Sequence, residues 1–327
     1  MPLRLTLRRL TLLRTAALAA GLVTLAAGCE TRPAPAPRLT VEDDSTLALP
    51  EAPTGLTGTL RIAVAEGLYP IVERQAELFR RDNPGLTVEL LRRTSRGALV
   101  AFLRDSVGVA VVDRPMNADE EAVARVLGQR YDLSTVEMGT DDLAVVVNAA
   151  NPVDSLSRAQ LARLVRGRPA WASVVPGGPA APVDLVLPSR NHAVHEVLET
   201  TVAPGGPLTL AQMASDPAAV LAAVAARPAA LGVVGLMALR DSVQMRGVKV
   251  LAVSDTFAAV PPGQGSVYRG QYPLRLAARV YLSRRAGSPE SAFARYVPTT
   301  SGQRAVQDAG LVPAVTPAHR IVLTPTL

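Results

Sequence analysis

Residues 107–115 read V-G-V-A-V-V-D-R-P. A short valine-rich run stops at an acid, a base and a proline. A run of this length and composition predicts a buried strand rather than a helix. In open α/β sheets, ligands bind just beyond the carboxyl ends of strands. Asp113 and Arg114 occupy such a position, which makes Asp113 a candidate acceptor on a pocket floor. A solvated strand-to-loop turn is the other reading, and this stretch alone leaves both open.

Outward from it, the chain alternates strand and helix. Residues 60–64 alternate apolar and polar like a strand. Residues 69–82 place Ile71, Val72, Leu78 and Phe79 on one helical face and Glu73, Arg74, Arg80 and Arg81 on the other. Asn83-Pro84-Gly85 stops that helix. Further strands are expected at 86–91, around Val136 and at 143–148, with helices at 97–104 and 118–128. Asp141-Asp142, just before a strand, reads as a solvated turn. After Asn151-Pro152 a second domain is expected. In it, Ser155 or Ser157 caps a helix, Ser215-Asp216-Pro217 starts another, and Trp171 packs on the hinge side. A proline- and glycine-rich loop covers 254–271, followed by a strand at 276–283 and helices at 289–296 and 302–309. Alternation of this kind argues for a largely parallel sheet.

Length and composition agree. The 327 residues suffice for two domains, and 48% hydrophobic with 19% charged supports a packed core. Aromatics are 3%, so that core must be built from Ala, Val and Leu. The formal charge is +6, but Arg4, Arg8, Arg9 and Arg14 precede the first apolar run, which leaves about +2 on the rest. With no long basic run, nucleic acid is not an expected partner. Lys249 is the sole lysine, so individual arginines carry little weight.

The N-terminus reads as an address. Residues 1–14 carry four arginines and no acid, and 15–28 are small and apolar, too short to span a bilayer comfortably. Leu25-Ala26-Ala27-Gly28-Cys29 resembles the lipobox of bacterial lipoproteins, with Cys29, the single cysteine, as the lipidated residue. The resemblance implies a signal peptide over 1–28 and a lipid tether to an extracytoplasmic membrane face of the bacterial envelope. Residues 29–57, rich in proline and acids, form a spacer.

Several segments together resemble the phosphate-binding family of periplasmic substrate-binding proteins, the receptors of phosphate ABC importers. Residues 60–70 match its opening strand and Leu-Tyr-Pro turn. Residues 79–85 match its F-x-x-x-N-P-G helix end. Residues 143–156 match its crossover into the second domain, and 228–236 (P-A-A-L-G-V-V-G-L) its P-x-A-I-G-Y-V-G-L. Tyr272-Pro273-Leu274 matches its return, and 300–313 its last helix and turn. The shared order across 58–315 is what counts. It implies an α/β fold, a two-lobed clamshell in which each lobe is a mixed, mostly parallel sheet flanked by helices. Lobe 1 would take 58–147 and 272–327, and lobe 2 would take 148–271.

The resemblance also implies a site. Asp113 falls where the family has the aspartate that accepts the ligand's proton and so rejects sulfate. Ser95, in T-S-R-G, falls on the serine of a Ser-Gly-x-Gly turn, with Arg96 replacing its first glycine. The family's first-loop hydroxyl is replaced by Ala65-Glu66-Gly67, where the Gly67 N–H can still donate. Glu66 would repel an anion unless it points away or pairs with an arginine. The family's Arg with Ser-Gly-Thr in the second lobe is replaced by residues 188–194, where Ser189, Arg190 and Asn191 could donate. Arg96 or Arg114 could add charge. Gly108 stands where the family usually has an acid, and Val112 and Arg114 where it often has small residues.

Other motifs are weaker. His192 and His195, in H-A-V-H-E, lack the order of a zinc protease; a polar helix start outweighs a two-histidine metal site. Gly263-Gln264-Gly265-Ser266 reads as a plain turn. No serine elbow or nucleophile–base constellation is visible, so neither an enzyme nor a cofactor is expected. The expectation is a monomeric, lipid-anchored receptor for inorganic phosphate or a related oxyanion, working with ABC permease subunits. The second reading is a clamshell that has lost transport and serves as a sensor or surface interaction module.

Overall fold

A computed structural model describes residues 53–128, 135–240, 242–256 and 258–317. The segment 1–28, Cys29 and the spacer as far as residue 52 lie outside the described residues.

Strand β1 (Thr57–Ala65) passes through one 3-10 turn (Glu66–Leu68) into α1 (Tyr69–Asp82). β2 (Gly85–Arg93) leads into α2 (Ser95–Leu103), and β3 (Val109–Val112) precedes α3 (Ala118–Val126). β4 (Val136–Asn148) is the long strand. β5 (Ser155–Ser157) and α4 (Arg158–Arg166) follow, then β6 (Asp184–Pro188) and α5 (Ala193–Val197), which continues as a π-helical turn to Val202. β7 (Gln212–Ala214), α6 (Pro217–Ala225) and β8 (Ala230–Gly235) come next, then β9 (Val248–Val250), β10 (Ala252–Ser254) and α7 (Gln264–Tyr268). β11 (Arg275–Leu282), α8 (Ser288–Tyr296), α9 (Thr300–Asp308) and β12 (Val312–Pro313) close the described chain.

The main sheet runs β2-β1-β3-β11-β4-β8-β6-β7, with β9 and β12 also on β4; β5 and β10 pair separately. It is a mixed sheet flanked by helices. β1 is parallel to β2 and β3, and β6 is parallel to β7 and β8, while β11 and β4 run antiparallel to their neighbours. β4 joins the two halves of the sheet. Its first part pairs with β11 as far as Asp142↔Arg275, and its second part pairs with β8 from Leu143↔Gly235. The chain returns beside the same point. Leu143 N–H donates to Leu274 O at 2.9 Å, and Tyr272 Oη donates to Leu143 O at 2.6 Å.

One finding here differs from the sequence reading. Asp141 and Asp142 form no solvated turn; they are buried within β4 where it changes partners. Trp171 belongs to the core of the second half, in one cluster with Tyr272 and Leu274 of the return crossing, and its Nε1 donates to Ala229 O at 2.9 Å. The second-half core is Val- and Leu-rich. The first half adds an aromatic knot, Phe79 with Phe293 and Tyr296 at centroid distances of 5.6 and 5.3 Å.

Candidate functional site

The register of three neighbouring strands brings the site together. β1 pairs with β2 through Ala65↔Arg93 and with β3 through Val64↔Val111. The three strands therefore end side by side and deliver Glu66-Gly67, Thr94-Ser95 and Asp113 to one edge. Every residue of β3 is buried, so Asp113 is the first polar group that the strand meets. At the end of β2, the Thr94 side chain caps α2 by accepting from Gly97 N–H at 3.2 Å, which fixes Ser95 in the first turn. Ser95 Oγ donates to Asp113 Oδ1 at 2.5 Å. A Cβ on Gly67 would come within 3.8 Å of Asp113 Oδ2. Burial pushes the Asp113 carboxyl above its ordinary range and outweighs the opposing Ser95 hydrogen bond and the nearby charges of His192 and Arg114. Asp113, Ser95 and Gly67 thus form one cluster.

The second half contributes in the same way. β6 is parallel to β7 through Pro188↔Ala214, so residues 189–192 and Asp216 leave neighbouring strand ends. Asp216 caps α6 by accepting from Ala219 N–H at 2.8 Å. The halves meet at Arg96 N–H, which donates to Asn191 O at 3.1 Å.

The arginines have separate fates. Arg114 is buried and bound by protein: its two terminal nitrogens reach the two Glu120 oxygens at 2.7 Å, and its Nε lies 3.4 Å from Glu196 Oε2. Its charge is therefore committed to α3 and α5. Arg96 and Arg190 are exposed, and Arg190 Nη1 stands 3.9 Å from Glu199. Both line a groove of about 410 Å³ with Asn191 and His192. A larger groove of about 690 Å³ is lined by Glu66, Gly67, Asp216, Met237 and others.

Glu66 and His192 join the two grooves. Among the described residues Glu66 forms no ion pair with an arginine; its Oε2 lies 3.8 Å from His192 Nε2. Sequence reasoning treated His192 as a polar helix start, and its only signal was its place just before α5. His195 faces elsewhere, with Nε2 at 2.8 Å from Pro188 O. Burial holds His195 below the ordinary imidazole range. Among the described residues, no group of three His, Cys, Asp or Glu could hold a metal ion. Gly263 is structural: its N–H donates to Asp142 Oδ2 at 2.7 Å.

Strand ends converging from two halves of one sheet, joined by a through-strand, define the class as an α/β clamshell binding protein. The chain belongs to the PBP superfamily domain family, whose family model matches residues 49–297. Its relatives include the protein SphX of Synechococcus elongatus, 26% identical over 77% of this chain and 76% of that one. The phosphate-binding protein PstS of Staphylococcus saprophyticus is 23% identical over 74% of this chain and 76% of its own. Its fold is similar to that of a Clostridium perfringens protein assigned as a phosphate ABC transporter substrate-binding protein and solved with bound phosphate. That similarity has a TM-score of 0.65 at 18% identity and covers 79% of this chain and 100% of that one.

Proposed function

We propose that this protein is an extracytoplasmic solute-binding protein, tethered by lipid on Cys29, that captures phosphate or a related oxyanion for an ABC importer. One observation carries the reading: Asp113, Ser95 and Gly67 converge at the ends of three neighbouring strands, where this fold class holds its ligand. Asp113 accepts a ligand proton, and its serine partner fixes the carboxylate in place. A protonated oxyanion donates to that carboxylate, whereas sulfate meets it only as like charge. Gly67 N–H and the exposed Arg96, Arg190 and Asn191 offer donors and positive charge around the cleft. Residues 58–147 with 272–327, and residues 148–271, act as two lobes hinged where β4 changes partners and at the return crossing, and they close on the ligand. The protein works as a monomer, binds rather than catalyses, and hands its ligand to permease subunits.

The test is titration calorimetry of the full chain in mild detergent with phosphate, arsenate and sulfate. Phosphate and arsenate are expected to bind and sulfate to fail. No heat from any of them at millimolar level rejects the reading. Ser95→Ala is expected to weaken phosphate about tenfold, the scale of one hydrogen bond to a charged group.

A further inference from the structure

Glu66 and His192 face each other from opposite halves of the molecule. His192 is 9% exposed, and its Nε2 makes no hydrogen bond. Glu66 Oε2, at 3.8 Å, is too far to supply one. Buried polar nitrogens in native proteins are almost always matched, so this one is aimed at something the cleft takes in. The two groups stand against the Asp113 cluster. Glu66 and Gly67 follow the end of β1, which lies parallel to β3 through Val64↔Val111, and a Cβ on Gly67 would come within 3.8 Å of Asp113 Oδ2.

Two carboxylates, Glu66 and Asp113, therefore follow the neighbouring ends of β1 and β3, with His192 facing the first. A doubly charged anion would be repelled by both. A singly charged oxyanion that retains two hydroxyl protons can donate one to each carboxylate and accept from the His192 ring. Resting on the oxyanion-receptor reading above, we propose that Glu66 and His192 complete the cradle begun by Asp113 and Ser95. The site then selects the singly charged, doubly protonated form of phosphate. The other charged groups around these residues are Arg114 at the end of β3, Asp141 on β4, Asp216 at the start of α6, Arg190 on the loop before His192, His195 in α5 and Glu199 in the turn that continues it. Arg114 is already neutralised by Glu120 and Glu196.

The experiment is calorimetry of the full chain with inorganic phosphate across a pH series. Once pH passes the second ionisation of phosphate, near neutrality, affinity per total phosphate is expected to fall by about tenfold per pH unit. Glu66→Gln keeps the shape but removes one carboxylate, so the fall becomes shallower. His192→Phe weakens binding by about tenfold to a hundredfold, and His192→Gln, which keeps an N–H near the same place, recovers most of it. The chain has three histidines, so ¹⁵N-histidine labelling isolates the ring signals, and those of His192 move when phosphate is added. Phosphate binding with a flat or rising pH profile, or with His192→Phe indistinguishable from wild type, overturns the inference and leaves the receptor reading standing. No phosphate binding at any pH overturns both.

Discussion

Arg114 is held by carboxylates from two different helices, Glu120 in α3 and Glu196 in α5. Glu120 also accepts from Asn117 N–H at 3.0 Å, so the same acid closes the capping box of α3. Removing the guanidinium would strand buried negative charge. Arg114→Met is therefore expected to cost about 3–5 kcal/mol in urea unfolding, and adding Glu120→Gln should recover part of it. A loss under 1 kcal/mol, about the worth of an exposed pair, would show that the pair is solvated in solution. Residue-level reading of the sequence went as far as it could here. The strand end that carries Asp113 was legible in the valine run, although that run alone left both a pocket acceptor and a solvated turn open. The fate of Arg114 was not, because one of its partners lies far along the chain on the other half of the sheet. His192 was read as a polar helix start and stands just before α5, but its burial and its approach to Glu66 were not legible, because they exist only once the segments after β1 and β6 come together.

β4 is the element on which both halves depend. Asp141 and Asp142 sit where it changes partners, and each leaves Oδ1 without a hydrogen bond. Burial pushes Asp141 up to about 8 and Asp142 up to about 7. The nearby Asp142 and Asp113 charges add to the rise at Asp141, while the Gly263 N–H opposes the rise at Asp142. In the unfolded chain both ionise near pH 4, by the ordinary value of about 3.9. From there upward the unfolded state binds fewer protons than the native state. Stability contributed by this pair accordingly falls as pH rises from about 4 to about 8, then levels off. Asp141→Asn is expected to flatten that slope and to gain stability over wild type toward the alkaline end, read by urea unfolding across the window. An unchanged slope would remove Asp141 from the account. The neighbouring helices give a second prediction. Thr299 caps α9 by accepting from Gly302 N–H at 3.2 Å, and a Cβ on Gly302 would meet the Tyr296 and Val297 carbonyls at 2.5 Å. Gly302→Ala should cost about 1–3 kcal/mol, the usual range for overpacking, with the loss appearing as a lower thermal midpoint. Most element bounds were legible. Residues 69–82 were read as one helix and form one, because amphipathic spacing and the Asn83-Pro84-Gly85 stop are local signals. β4 was read as two separate pieces because an acid pair in the middle of a strand looks like a turn until both flanks are seen to cover it.

At the scale of the whole molecule, the proposed lipid tether and the clamshell carry separate predictions. On the proposed reading, Cys29→Ser is expected to move the protein from the membrane fraction to the soluble extracytoplasmic fraction and to leave phosphate affinity unchanged, because the residues proposed to hold the ligand all lie between 66 and 192. Retention of the variant in the membrane would contradict lipid anchoring. Phosphate at a hundred times its dissociation constant should raise stability by about 2.7 kcal/mol, and a matching rise in thermal midpoint would tie binding to the folded clamshell. The sequence by itself determined the alternation of strand and helix, the helix caps, the basic and apolar composition of residues 1–28, and the place of Asp113 at a strand end. These depend on residues near one another in the chain. Only the tertiary structure decided that Ser95 reaches Asp113, that Arg114 is neutralised within the protein, that the two aspartates of β4 are buried, and that Glu66 meets His192. Apart from the nearby Arg114–Glu120 pair, these depend on segments distant in sequence, brought together by the parallel register of β1, β2 and β3 and by the passage of β4 from one half of the sheet to the other. Local patterns do not encode that register.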